Sequence, residues 1–167
     1  MGVIDELLEQ NERRSESLVT RHLDLHPSSR LAIVTCMDCR LDVFAALGLK
    51  DGEAHIIRNA GGVITDDVIR SLAISQRKLG TEHVMAIHHS DCGMQTITDD
   101  GFRADLQADT GMAPAFAIES FRDVEADVRQ SVARLRSSPF LPHRENIRGF
   151  VYDVDTHLLT EIDCPDA

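Results

Sequence analysis

Three short apolar segments, each followed at once by polar residues, constrain the fold of this chain more than any other feature. Residues 31–35 form an apolar, β-branched run that ends at Cys36. Residues 54–59 predict a second strand, and residues 83–88 predict a third that leads into His89. Continuous apolar runs of this length are typical of strands buried within a sheet. We therefore expect three strands that each present a reactive or polar motif at one end.

Helix signals lie between these strands. Thr65 can cap a helix whose first turn carries two aspartates, and Gly80 ends it. Similar patterns predict helices at 4–18, 42–47, 98–108 and 119–136, and closing strands at 147–154 and 158–162. Strands that alternate with helices predict an α/β fold, in which a mainly parallel sheet is flanked by helices and the closing strand is antiparallel.

Size and charge narrow the classes of function. The 167 residues fit a single domain spanning 1–167, with 1–25 as an N-terminal helical arm that packs on the domain or on a partner subunit. A net charge of −11 argues against binding to nucleic acid, whose phosphates it would repel. No apolar run is long enough for a membrane span, and no secretory signal is evident. A cytoplasmic location is expected, with the four cysteines as thiols or metal ligands rather than disulfides.

Metal chemistry is the strongest functional signal. In a parallel sheet, ligands bind at the carboxyl ends of the strands. If the first and third strands are neighbours, Cys36 meets His89 and Cys92 at one edge of the sheet. Two thiolates and an imidazole suit Zn²⁺, and a catalytic zinc has three protein ligands and one free position. The sequence therefore predicts a catalytic zinc site.

Other interpretations of the cysteines remain. Either ligand thiol can instead be a small buried apolar residue. Cys36-x-x-Cys39 also fits a redox pair, or a closed structural zinc site of the Cys₃His type completed by His89 and Cys92. The redox interpretation leaves the His-x-x-Cys spacing unexplained, and the closed site leaves the charged residues of the first motif unexplained. We expect Cys39 to be a small buried residue or to lie just behind the ligands.

Asp38 and Arg40 lie beside the first proposed ligand. In one interpretation they form only a surface ion pair, which contributes less than ~1 kcal/mol to stability. Alternatively, a guanidinium fork can keep Asp38 ionised and oriented to accept a proton from zinc-bound water.

Two glycines and a second histidine complete the set. In one interpretation, Gly61 and Gly62 do nothing more than turn the chain. In the other, they let backbone N–H groups approach a substrate oxygen. Backbone donors near Gly61 and Gly93 are the candidates for binding substrate. His88 is expected to point away from the metal and to be packed.

These motifs resemble the β-class carbonic anhydrases. The resemblance rests on residues 36–40 (Cys-Met-Asp-Cys-Arg), 58–61 (Arg-Asn-Ala-Gly) and 89–94 (His-Ser-Asp-Cys-Gly-Met). It is greatest to the short, single-domain branch of that class and extends over about residues 33–154. Two positions depart from the common pattern, Cys39 where Ser is usual and His88 where Gly is usual, and neither removes a ligand.

The resemblance implies a site and a reaction. In the family, the residues matching Cys36, His89 and Cys92 bind Zn²⁺, and those matching Asp38 and Arg40 form the catalytic dyad. The implied activity is reversible hydration of carbon dioxide to bicarbonate by zinc-bound hydroxide. In some members the aspartate instead ligates zinc in an inactive state.

The resemblance leaves the substrate open and implies an assembly. Carbonyl sulfide or carbon disulfide hydrolysis at the same site is the alternative reaction. A structural-zinc or thiol-sensing protein is the alternative of another class. The implied assembly is a homodimer or a dimer of dimers, with the active site near the subunit interface.

Overall fold

The structure, a computed structural model, describes residues 2–19 and 22–165. Five helices and five strands alternate along most of this length. The helices are Val3–Ser17 (α1), Val43–Leu47 (α2), Asp66–Leu79 (α3), Asp99–Thr110 (α4) and Val124–Ser137 (α5). The strands are Leu31–Cys36 (β1), Ala54–Asn59 (β2), His83–His89 (β3), Ile147–Tyr152 (β4) and Leu159–Ile162 (β5).

A single five-stranded sheet organises the fold, in the order β2-β1-β3-β4-β5. The first four strands of that order are parallel, and β5 is antiparallel to β4. The predicted α/β architecture is therefore confirmed. β1 and β3 are direct neighbours, with Leu31 paired to His83 and Thr35 paired to Ile87. This adjacency brings the ends of the first and third strands together.

Both faces of the sheet are buried. On one face, Val34 and Ala86 pack with Leu72 of α3 and Val132 of α5. The opposite face has its own apolar cluster, which includes Ile33, Leu41, Val43, Ile87, Phe150 and Tyr152. Successive residues of a strand point to opposite faces, so a strand covered on both sides must be apolar throughout. That requirement explains the uninterrupted apolar runs in the sequence.

Two of the helix predictions can be compared at their ends. Thr65 accepts a hydrogen bond from the Val68 N–H at the start of α3, and Gly80 ends that helix in the left-handed conformation, as predicted. The predicted start of the last helix at residue 119 was wrong. Glu119 has a φ of +61°, which is not helical. The helix instead begins at Val124, and the side chain of Asp123 caps it.

The N-terminal helix does not pack on the described part of the chain. None of the residues of α1 is buried, and Ile4, Leu7 and Leu8 are each more than half exposed. Packing of the predicted arm on its own domain is therefore not observed. Among the described residues, no helix combines the length and the apolar character that a bilayer crossing needs.

Candidate metal centre

The three predicted ligands meet where β1 and β3 end. Cys36 is the last residue of β1 and His89 is the last residue of β3, while Cys92 precedes a short 3₁₀ turn at Gly93–Gln95. All three are buried, and one potential ligand atom from each lies within 4.8 Å of the other two. Within the described ranges, this is the group of histidine, cysteine and acidic side chains with the geometry to hold a metal ion.

His89 is oriented for this purpose. Its Nδ1 atom is 2.8 Å from the backbone carbonyl of Ser90, to which it donates as the protonated nitrogen. Its Nε2 atom is buried and makes no hydrogen bond with any described residue. A buried ring nitrogen without a partner is costly, and a metal ion would satisfy it. Second hydrogen bonds of this kind fix the ring of many metal-binding histidines.

The sulfur atoms of Cys36 and Cys92 form a thiolate–thiol pair that carries one negative charge. The Cys92 thiol, through its hydrogen bond, lowers the pKa of Cys36 to about 4, and the backbone N–H groups of Asp38 and Gly61 act in the same direction. The pKa of Cys92 is raised, chiefly because it shares its proton with the Cys36 sulfur. Burial lowers the pKa of His89, but the nearby Cys36 sulfur and the Ser90 carbonyl reverse this, so the net shift is upward. The pocket thus favours a cation.

The donor set fits Zn²⁺. Two thiolates and one imidazole are ligands that zinc binds in catalytic sites, where the fourth position stays free for water or substrate. An unpaired Nε2 and a sulfur with a strongly lowered pKa are the features that such an ion would stabilise.

Asp38 lies beside this position and is held by Arg40. Asp38 Oδ1 accepts hydrogen bonds from the backbone N–H of Arg40 at 2.9 Å and from its Nε at 3.0 Å, and Oδ2 accepts one from Nη2 at 2.8 Å. Asp38 Oδ2 is 3.7 Å from His89 Nε2. The hydrogen bonds from Arg40 hold the pKa of Asp38 well below its usual range, so the carboxylate is ionised. Its side chain is only 16% exposed, which distinguishes this pair from an ordinary surface ion pair.

Two further residues support the loops of the site. Arg58 donates from Nε to the Cys36 carbonyl at 2.8 Å and from Nη2 to the Asp38 carbonyl at 2.6 Å. Arg40 also donates from Nη1 to Asp91 Oδ2 at 2.7 Å and from Nη2 to the Asp91 carbonyl at 2.9 Å. Arg58 begins one of the motifs noted in the sequence, and Asp91 lies between two proposed ligands. The sequence did not predict the hydrogen bonds of Arg58 or those between Arg40 and Asp91, because they depend on the conformation of the loops.

Cys39 is not where it was expected. It is an exposed free thiol, whereas Cys36 is a buried one, and it does not belong to the group that can hold a metal. The expectation that Cys39 is buried or lies directly behind the ligands was wrong. The turn that carries the Asp38–Arg40 pair directs Cys39 to the surface. This geometry supports neither the closed Cys₃His site nor a Cys36–Cys39 redox pair.

The glycines and His88 frame the site. Gly61 has a φ of +84°, and its N–H faces the Cys36 sulfur. A Cβ added at Gly93 would meet no atom within 4 Å, so space is open there. His88 is buried and packed, as expected, with Nε2 2.7 Å from Asp127 Oδ2.

An apolar cavity adjoins the centre. Its volume is about 380 Å³ and its wall includes Val63 and Met94, which also pack around Cys36 and Cys92. Met37, Phe102 and Phe116 line it further out. The cavity offers few polar atoms to a ligand, so it suits a small uncharged molecule.

Comparison with known proteins places the chain among enzymes. A model of the carbonic anhydrase family matches residues 31–118. Beta-carbonic anhydrase 1 of Mycobacterium tuberculosis is 55% identical over 140 residues, which cover 84% of this chain and 86% of that protein. The carbon disulfide hydrolase of Saccharolobus solfataricus is 35% identical over 183 aligned residues, covering 94% and 89%. Among solved structures, the carbonic anhydrase of Streptococcus mutans matches with a TM-score of 0.92 and 45% identity over 98% of this chain and 99% of that one.

Proposed function

The chain belongs to the β class of the carbonic anhydrase family, and we propose on that premise that it interconverts carbon dioxide and bicarbonate. The observation that carries the proposal is the ionised Asp38 carboxylate, held by Arg40 with one oxygen 3.7 Å from the unpaired His89 Nε2. A purely structural metal site does not require an oriented carboxylate 3.7 Å from one of its proposed ligand atoms.

Cys36, His89 and Cys92 are the residues that would hold Zn²⁺. When bound, Zn²⁺ lowers the pKa of a coordinated water toward about 7 and so makes hydroxide available near neutral pH. The two thiolates and the neutral imidazole would each provide one ligand atom. The hydrogen bond from His89 to Ser90 keeps Nε2 free for this role.

Asp38 orients the attacking oxygen. As an anion it can only accept hydrogen bonds, so it holds the remaining proton of the nucleophile and directs a lone pair of that oxygen toward carbon dioxide. Arg40 holds both oxygens of Asp38, which restricts the carboxylate to one rotamer and keeps it from turning to the metal. Backbone donors near Gly93, and beside Gly61, whose own N–H faces the Cys36 sulfur, are proposed to bind substrate oxygen. The apolar cavity admits the uncharged gas.

Hydrolysis of carbon disulfide or carbonyl sulfide is the second candidate. The apolar cavity favours it, because Met37 and Met94 line the cavity with polarisable thioethers. The same oriented nucleophile would attack the central carbon of these linear sulfur compounds. The proteins named carbon disulfide hydrolases among the relatives support keeping this candidate.

Assembly and location are part of the proposal. The exposed apolar residues of α1 support a homodimer or a dimer of dimers, in which the arm covers a second copy of the chain. We also propose a place in the cytoplasm and action on small molecules, without nucleic acid or membrane as a partner. The net charge of −11, which would repel phosphates, supports the exclusion of nucleic acid.

The first experiment measures carbon dioxide hydration by stopped flow and carbon disulfide hydrolysis on the same zinc-loaded protein. We expect Asp38→Asn to retain zinc by elemental analysis and to lose ~10²-fold in kcat/KM, the scale of a lost general base or orienting group. Arg40→Ala should cost a comparable factor, and the double variant should lose less than the product of the two factors, because the residues act as one unit. Asp105→Asn removes an exposed carboxylate elsewhere and should change neither property.

Near-normal hydration by Asp38→Asn would contradict the role of the dyad. Slow hydration by the unaltered protein at every pH, combined with fast hydrolysis of carbon disulfide, would contradict the choice of substrate and leave the mechanism in place. Inactivity with both substrates despite a full complement of zinc would contradict the proposed function as a whole.

A further inference from the structure

Arg40 is shared between two aspartates. Its Nε and Nη2 atoms hold Asp38, and its Nη1 atom, which Asp38 does not contact, donates to Asp91 Oδ2 at 2.7 Å. Nη2 also donates to the Asp91 carbonyl at 2.9 Å. The guanidinium is thus bound along two edges, and the hydrogen bonds that it donates to both aspartates raise the pKa of Arg40. A planar group bound along two edges cannot rotate about its long axis without losing hydrogen bonds.

The backbone conformation of Asp91 allows it to contact Arg40 through both its carbonyl and its carboxylate. Asp91 has a φ of +52°, in the left-handed region that is unfavourable for most residues and best tolerated by Gly, Asn and Asp. The preceding residue is fixed on the sheet, because the Ser90 N–H donates to the Tyr152 carbonyl at 2.9 Å and the Ser90 Oγ accepts from the Val154 N–H at 3.0 Å. The turn between the second and third proposed metal ligands therefore presents both the carbonyl and the carboxylate of Asp91 to Arg40.

We propose that Asp91 is a positioning residue for the reaction, acting through Arg40. It holds the guanidinium from the side opposite Asp38, so that Arg40 in turn holds the Asp38 carboxylate away from the metal and toward the nucleophile. This inference rests on the proposed function, since it assigns Asp91 a part in orienting the same nucleophile. It also explains why an acidic residue stands in the exposed turn of the His-x-x-Cys motif.

A role in orientation is distinguishable from a role in stability. The Asp91 side chain is 80% exposed, and pairs this exposed contribute little to folding. Removing the carboxylate should therefore leave folding and zinc binding almost unchanged while loosening Arg40. A merely structural residue would show the reverse pattern.

The test uses two variants that keep the left-handed turn. Asp91→Asn removes the charge, and Asp91→Gly removes the side chain without backbone strain. We expect both to keep zinc content and Tm and to lower kcat/KM for carbon dioxide by about tenfold, the lower end of the range for a hydrogen bond to a charged group. In the Arg40→Ala background the same substitutions should have no further effect, because the group through which Asp91 acts is absent. Asp105→Asn is the control for loss of one negative charge.

A second readout does not depend on turnover. The ¹⁵Nε–¹Hε NMR signal of Arg40, assigned by its loss in Arg40→Lys, reports the hydrogen bond to Asp38. We expect faster solvent exchange of this proton in Asp91→Asn and Asp91→Gly than in the unaltered protein. Unchanged exchange and unchanged kcat/KM in both variants would overturn the positioning role, as would an equal loss of activity with and without Arg40. If the unaltered protein is inactive toward carbon dioxide, the proposed function fails, whereas the exchange measurement still decides whether Asp91 holds Arg40.

Discussion

Cys36 and Cys39 differ sharply in environment although they lie three positions apart. Cys36 ends a buried strand and has its pKa lowered to about 4, chiefly by the Cys92 thiol. Cys39 lies in the exposed turn that carries Asp38 and Arg40. A thiolate close to His89 and Cys92 can bind a metal ion, whereas an exposed thiol outside this group contributes no ligand. Only the first of these cysteines is expected to matter for metal binding.

Cys36→Ser and Cys39→Ser form a matched pair for this distinction. We expect Cys36→Ser to lose most bound zinc and all measurable turnover, because one of three ligands is replaced by a hydroxyl that zinc binds poorly. Cys39→Ser should keep its zinc stoichiometry and stay within severalfold of the original activity. Elemental analysis and stopped-flow kinetics on both purified proteins provide the measurement. Loss of zinc from Cys39→Ser would instead support the interpretation as a closed Cys₃His site.

The sequence was informative about residues at strand ends and less so about residues in loops. Cys36 and His89 could be placed together because apolar runs reveal where strands end, and neighbouring parallel strands end at the same edge. The exposure of Cys39 and the contact between Arg40 and Asp91 could not be predicted, since both depend on backbone angles in turns. The φ of +52° at Asp91 leaves no periodic signal in the sequence.

At the scale of elements, the close approach of the 60–62 turn to β1 fixes the position of Cys36. A Cβ added at Gly62 would lie 2.9 Å from the backbone nitrogen of Cys36 and 2.9 Å from the carbonyl carbon of Thr35. Gly62 also has a φ of +73°. The turn can pack directly on the strand that ends at the proposed ligand Cys36 only because Gly62 has no side chain.

Gly62→Ala should therefore destabilise the protein more than an ordinary substitution of a turn glycine. We expect a loss of about 3 kcal/mol in the free energy of unfolding, the sum of left-handed strain and overpacking. Gly111→Ala is the control, because Gly111 has a φ of +76° and no atom within 4 Å of its added Cβ, so it should lose only about 1 kcal/mol. Urea unfolding at one fixed protein concentration measures both. Equal losses in the two variants would show that the close contact at Gly62 has no energetic effect.

Element boundaries show where local signals compete. Both Glu119 and Asp123 precede the apolar positions of α5, and either is a plausible helix start by charge alone. The structure uses Asp123, whose carboxylate accepts from the N–H groups of Glu125 and Ala126 at 3.0 Å. Glu119 instead adopts a left-handed conformation and binds Arg134 at 2.9 Å. A long-range ion pair of this kind cannot be recognised from the local sequence.

At the scale of the whole molecule, α1 carries an apolar stripe that no described residue of its own chain buries. Its side chains at Ile4, Leu7 and Leu8 are 74%, 56% and 58% exposed. Burying even a few such side chains contributes several kcal/mol to an association, since each contributes about 1.5–3 kcal/mol when fully buried. We therefore expect that a second copy of the chain covers this stripe.

Leu7→Glu should weaken that association. The substitution places a charge in the interface and removes apolar area, so the sedimentation coefficient at micromolar concentration should fall toward the value of a monomer. Gln10→Glu adds the same charge to an exposed position of the same helix and should leave the assembly unchanged. A monomeric, active unaltered protein would contradict the proposed dimer, and an assembly that is insensitive to Leu7→Glu would exclude α1 from the interface.

The placement of the proposed ligands in β1 and β3 has a consequence for how a bound ion can escape. Both strands are interior strands of the sheet, and each is hydrogen-bonded to a neighbouring strand on both sides. Their amide protons should therefore be among the last to exchange with deuterated water. Cys36 and His89 terminate these strands, so they cannot separate widely while the sheet persists. Release of the ion to a chelator should then be slow under native conditions and should accelerate together with exchange of the β1 and β3 amides as denaturant is added. Exchange in α1 should be fast throughout in any subunit whose arm is uncovered.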